Sequence, residues 1–107
     1  MNFQEKVKAL ITELYSHTLE DNEHYNKISK KIVDLGMENI NTTVDYVMNI
    51  ATTDELMELS TFMCDLFEIE PHKELYDAFV FRYNKSNDAH FKKIIGVDID
   101  WCSKYFN

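Results

Sequence analysis

Glycine and proline are nearly missing from this chain: Gly36, Gly96 and Pro71 are the only three in 107 residues. A β-sandwich or barrel builds its many tight turns from such residues, so the shortage points to helices joined by few connections. Arginine is scarcer still, with Arg82 alone. Binding to a phosphate backbone demands clustered Lys and Arg, so a nucleic-acid partner is not expected. No apolar run approaches the length of a membrane span, and residues 1–8 read as the start of an amphipathic helix rather than as a secretory leader. A cytoplasmic location without a membrane partner is therefore expected. Cysteine is limited to Cys64 and Cys102. They could pair, but Cys64 lies beside Met63 on the inner part of a predicted helix and no leader is seen, so two reduced thiols are expected.

Catalytic and metal-binding patterns are missing too. The four histidines, His17, His24, His72 and His90, never place two imidazoles on one face of a single helical turn, and there is neither a His-x-x-x-His nor a Cys-x-x-Cys. Asp98-x-Asp100 is a carboxylate pair without the glycine and further ligands of a calcium loop. No serine sits in a glycine elbow, and no glycine-rich loop could cradle phosphates. The expectation is a protein that is not an enzyme, with no catalytic residue, metal, cofactor or small-molecule substrate.

What is present is helical periodicity. Hydrophobic residues make up 45% of the chain, enough at this length for one domain, 1–107, with its own core. Phe3, Val7, Leu10, Ile11, Leu14 and Tyr15 recur at three- and four-residue spacing and predict a helix over 2–17. The pattern breaks over 18–22 and resumes with Tyr25, Ile28, Ile32 and Leu35, up to Gly36 as a C-terminal cap. Residues 39–43 are rich in helix-capping types ahead of Val44, Val47, Met48 and Ala51. Thr52 and Glu55 have the form of a capping box, so a fourth helix should begin near Thr53 and stop before Pro71. Leu75, Tyr76, Phe79, Val80 and Tyr83 mark a fifth, ending near Asn84. A short helix over 89–95 closed by Gly96, and a last one capped by Asp98, complete an all-α, single compact domain of six to seven short helices. Residues 94–99 could instead form a strand, but no second strand is available to pair with it. The expected core is Leu10, Leu14, Ile28, Ile32, Leu59, Phe62, Met63, Leu66, Leu75 and Phe79.

The charge is concentrated. Residues 51–77 hold eight acids, Asp54, Glu55, Glu58, Asp65, Glu68, Glu70, Glu74 and Asp77, against Lys73 alone, which is −7 of the total −8. At about 100° per residue, Asp54, Glu58, Asp65 and Glu68 fall within roughly 80° on one helix, opposite Leu56, Leu59, Phe62, Met63, Leu66 and Phe67. A solvated helix face ordinarily mixes signs, whereas this one would repel nucleic acid and attract a basic protein. Two aromatics accompany the acids. Phe81 projects away from its helix's apolar stripe towards Glu74 and Asp77, either as an anchor for a partner or packed on a neighbouring helix. Trp101 follows Asp98 and Asp100. As the only Trp it reads first as a core filler and second as a binding hot spot.

An acidic, cytoplasmic, all-helical domain with a carboxylate-rich face and no catalytic motif resembles the small immunity proteins that protect bacteria from their own toxins, in particular those of contact-dependent growth inhibition systems. The resemblance implies a partner, a basic toxin nuclease domain, most readily a ribonuclease, whose active site the acidic surface would block. Carboxylates would stand in for substrate phosphates and engage the nuclease's Lys, Arg and His. The candidate partner-binding residues are then Asp54, Glu58, Asp65, Glu68, Glu70, Glu74, Asp77, Phe81, Asp98, Asp100 and Trp101. The alternative is a helical adaptor or regulatory domain whose apolar groove accepts a partner helix.

Overall fold

A computed structural model of the chain describes residues 2–16 and 22–106. Six α-helices follow one another: α1 (Phe3–Leu14), α2 (Asn22–Glu38), α3 (Ile40–Asp45), α4 (Thr53–Ile69), α5 (Lys73–Lys85) and α6 (Ala89–Cys102). A π turn (Tyr46–Ile50) joins α3 to the segment before α4, and a 3-10 turn (Ser103–Tyr105) follows α6. No strand occurs among the described residues, so the fold is all-α and 94–99 is helical. His17 and residues 18–21, part of the first predicted helix and its break, lie outside the described residues, while Asn22 already belongs to α2.

Helix starts follow local chemistry. Asn2 accepts a hydrogen bond from the Glu5 amide at 2.9 Å, and Asn39 accepts one from Thr42 at 3.2 Å. At α4 the capping box is complete: the Glu55 amide donates to Thr52 Oγ1 at 3.1 Å and the Thr52 amide donates to Glu55 Oε1 at 2.9 Å. Gln4 Nε2 adds a bond to the same carboxylate at 3.0 Å, tying α1 to the start of α4. Burial alone would raise the pKa of Glu55, but the bonds from Thr52 and Gln4 and the charge of Lys8 outweigh it and hold the carboxyl below its usual range.

A depressed folded-state pKa means stability that is present above the unfolded-state pKa and lost as pH falls through the folded one. Glu55→Gln, which keeps a neutral form of the box, is accordingly expected to cost about 1 kcal/mol at pH 7, the difference between a charge-assisted and a neutral hydrogen bond, with the gap to the parent closing as pH falls through the depressed folded-state pKa and both side chains become neutral. Thermal melts of the two proteins across that pH range check it, and a gap independent of pH would remove the charge from the explanation.

Neither glycine ends a helix, contrary to expectation. Gly36 lies within α2 and Gly96 within α6, and neither has a positive φ. Their role is close approach: a Cβ on Gly36 would sit 3.1 Å from Leu66 Cδ1, and one on Gly96 would sit 3.2 Å from Tyr83 Cε2. Glycine thus lets α2 press on α4 and α5 on α6. With Gly96 continuous, the two predicted C-terminal helices become one, and Asp98 is an interior residue rather than a cap.

Helices α4 and α6 form the main seam. Ser60 Oγ donates to Asp98 Oδ2 at 2.6 Å, and one turn further along both helices Cys64 is disulfide-bonded to Cys102, with Cα atoms 5.7 Å apart. The pairs advance in the same direction, so α4 and α6 run parallel, with α5 as the returning leg. This corrects the expectation of two reduced thiols. The inner face that buries Met63 also turns Cys64 towards α6, which sequence spacing could not reveal.

The expected core is largely realised. Leu14, Ile28, Ile32, Phe62, Met63, Leu66, Leu75 and Phe79 are buried, while Leu10 and Leu59 are half-buried against them. Leu56, Phe91, Ile95 and Cys102 are fully enclosed. Burying each large apolar side chain contributes about 1.5–3 kcal/mol. The radius of gyration, 13.3 Å, matches the roughly 13 Å of a compact domain of about 100 residues. Among the described residues, no helix is long and apolar enough to cross a membrane.

Candidate interaction surface

Because α4 buries Leu56, Phe62, Met63, Leu66 and Phe67, its opposite side faces water, and Asp54, Glu58, Asp65 and Glu68 are all exposed there. Fourteen residues separate the first from the last, so the ridge is about 21 Å long at 1.5 Å per residue. None of the four is ion-paired with a Lys or Arg among the described residues. Glu58 instead accepts a 2.7 Å hydrogen bond from the Tyr15 hydroxyl, which together with burial and the carboxylate's charge pushes that phenol's pKa up to about 12. The pKa of Asp65 is raised, first by partial burial and then by the charge of Glu68. A raised carboxyl pKa is the opposite case to Glu55. The ionised form is disfavoured in the folded protein, so this carboxylate detracts from stability at neutral pH and the cost is relieved as pH falls.

The C-terminal end of the ridge carries aromatics. Phe67 packs edge-to-face with Tyr105 and Phe106, with centroids at 6.0 and 5.2 Å. The charges of Glu68 and Asp65, after desolvation, raise the Tyr105 pKa. Lys104 Nζ lies 4.2 Å from the Trp101 ring centroid and 5.3 Å from that of Tyr105. Trp101 is 62% exposed and Val97, one turn before it, 67%. This overturns the core placement of Trp101: α6 turns Phe91, Ile95, Asp98 and Cys102 inward, which leaves positions 97 and 101 outside.

The remaining candidates divide. Glu70 and Glu74 flank His72, at 3.9 and 3.4 Å from its ring nitrogens, and Asp77 is paired with Lys73. Lys73 also lies over the Tyr76 and Phe106 rings, which brings the start of α5 to the same end as Tyr105. Phe81 is 45% exposed, beside Lys85, near the other end of α5. Asp100 is exposed. Asp98 is spent on Ser60 inside the α4–α6 seam and leaves the candidate surface.

Two residues went unrecognised in sequence. Tyr15 was assigned to the apolar stripe of α1 but is 55% exposed beside the ridge. Its position next to Leu14, at the edge of the stripe, was the available signal. Arg82 Nη1 donates to the carbonyls of Val47 at 2.9 Å and Ala51 at 2.8 Å, clasping the end of the π turn. That it is the only arginine in the sequence is the signal for this role.

No group of three or more His, Cys, Asp or Glu among the described residues is arranged to hold a metal ion. Neither a protein-family model, nor a curated protein, nor a solved structure matches the chain. Fold and surface define the class: an acidic, all-α domain whose carboxylate ridge, without a Lys or Arg partner among the described residues, ends beside the exposed Trp101.

Proposed function

We propose that this chain is an inhibitory binding protein whose α4 ridge engages a basic protein, and that the partner is a toxin nuclease domain, as for an immunity protein. The observation that carries this reading is the row of four exposed carboxylates along α4, Asp54, Glu58, Asp65 and Glu68, none paired with a Lys or Arg among the described residues. An isolated domain gains nothing from such an arrangement, whereas a Lys- or Arg-rich surface would relieve it on binding. Trp101, which shares Lys104 with Tyr105, adds an aromatic anchor near the end of the ridge. No chemistry by this chain is required. The reading places it in the cytoplasm, where thiols are ordinarily kept reduced; the full burial of Cys102 shields one side of the disulfide from attack there.

The test uses a nuclease domain encoded next to the gene for this chain, with surface kinetics for binding and RNA cleavage for inhibition. Reversing Asp65 and Glu68 to Lys is expected to slow association at least tenfold at low salt, with the effect fading as the Debye length shrinks to about 8 Å at physiological ionic strength. The double reversal should leave the melting temperature unchanged or higher. Trp101→Ala should act on dissociation, costing about 2 kcal/mol of affinity. Unchanged association after the double reversal would exclude the ridge.

The adaptor reading has one observation of its own. Ala9, Leu10, Leu35, Met37 and Ile69 line a groove across α1, α2 and the end of α4, with Ile69 64% exposed. Ile69→Asp separates the two: it would abolish capture of an amphipathic helix by the groove and leave nuclease binding intact.

A further inference from the structure

A second site lies where the π turn meets the start of α4 and the end of α5. A pocket of about 390 Å³ is lined there by residues that include Asn49, Thr53, Ser86, Arg82 and Lys85. Its only charged lining residues are the two cations, in a protein of net charge −8. Arg82 is half-buried and makes no ion pair among the described residues. Its hydrogen bonds run from Nη1 to the Val47 and Ala51 carbonyls, leaving Nε and Nη2 without a protein acceptor. Lys85 is likewise unpaired, its ammonium resting 5.7 Å from the Phe81 ring centroid. No carboxylate lines the pocket; those on adjoining segments are held by neutral donors, Asp45 by the lining residue Asn49 through Nδ2, Asp88 by the amides of His90 and Phe91, and Glu55 by the capping box.

A guanidinium anchored by one nitrogen is preorganised. Its geometry is fixed by neutral carbonyls, which hold the group without cancelling its charge, and the remaining fork of donors suits a tetrahedral oxyanion. The Thr53 and Ser86 hydroxyls, and the second N–H of the Asn49 amide whose first is given to Asp45, supply neutral donors around it. We propose that this pocket binds a phosphate-sized oxyanion, such as the phosphoryl group of a small phosphorylated metabolite. This stands independently of the nuclease-binding reading and departs from the expectation that the chain takes no small molecule.

The test titrates the intact protein with inorganic phosphate against sodium chloride at matched ionic strength, followed by backbone amide shifts and by melting temperature. Saturable shifts confined to Asn49, Thr53, Ser86 and their neighbours are expected, with a rise in melting temperature. Phosphate also stabilises proteins without a site by being excluded from their surfaces, so the deciding variant is Lys85→Ala. Because Lys85 is exposed, this change should leave the melt in chloride unaltered while weakening phosphate binding roughly tenfold, the loss of one charge-assisted contact. Arg82→Gln should abolish binding, and its melt in chloride shows separately what the π turn loses. Non-saturating shifts, or a phosphate response that Lys85→Ala leaves intact, would overturn the site. Acetate binding as tightly as phosphate would overturn its assignment to a phosphoryl group.

Discussion

Opening the Cys64–Cys102 bond is expected to lower the stability of this protein by about 4 kcal/mol, the chain-entropy value for a cross-link that closes a loop of 38 residues. In a domain of this size that corresponds to a fall of roughly 15 °C in melting temperature. The loop is long because it spans the rest of α4, all of α5 and all of α6, so the bond removes from the unfolded ensemble many conformations in which the parallel helices are apart. The Ser60–Asp98 hydrogen bond remains after reduction, as does the burial of Phe91 and Ile95, so the fold should persist at room temperature and fail on warming. Melts with and without a phosphine reductant, alongside the Cys64→Ala/Cys102→Ala double variant, measure the effect. The double variant and the reduced parent should agree to within the small difference in side-chain volume. An unchanged melting temperature under reductant, with the thiols shown to be free, would mean that the helix pair is held by packing alone.

Phe67→Ala is expected to cost about 3–5 kcal/mol, the range for truncating a buried aromatic. Phe67 is 1% exposed, and its ring makes T-shaped contacts with Tyr105 and Phe106. Phe106 in turn packs on Tyr76 of α5 with centroids 4.9 Å apart. Removing the ring opens a cavity under the last turn and loosens the residues that carry Trp101 and Tyr105 towards the acidic ridge. Urea unfolding should show a lower midpoint at unchanged slope, the signature of lost stability rather than altered compactness. Because Phe67 and the disulfide both fasten residues 102–106 to α4, reduction of the Phe67→Ala variant should cost less than the sum of the two separate losses. Strict additivity would show that ring and cross-link act on different parts of the structure.

The helical face of α4 could be read directly from sequence because it depends on a short-range property. The positions of Asp54, Glu58, Asp65 and Glu68 against Leu56, Phe62, Met63, Leu66 and Phe67 follow from 3.6 residues per turn, and the Thr52–Glu55 box follows from the needs of unpaired amides at a helix start. Periodicity of the same kind places eight of the ten expected core residues in the buried core, with Leu10 and Leu59 half-buried. The misreadings share one cause. Gly36 and Gly96 were treated as local conformational signals, whereas both serve contact with side chains on other helices, Leu66 and Tyr83. Taking Gly96 as a stop divided α6 in two, and the same division turned Asp98 into a cap.

Helix content, the acidic ridge and the site of the capping box were thus determined by the sequence itself, since each depends on residues within about one or two turns of one another. The parallel pairing of α4 with α6, the Cys64–Cys102 bond, the exposure of Trp101 and Tyr15, and the grip of Arg82 on the π turn were decided only by the tertiary structure. Each joins or separates residues on different segments, and which face of one helix meets which face of another depends on how all the side chains fill the core together.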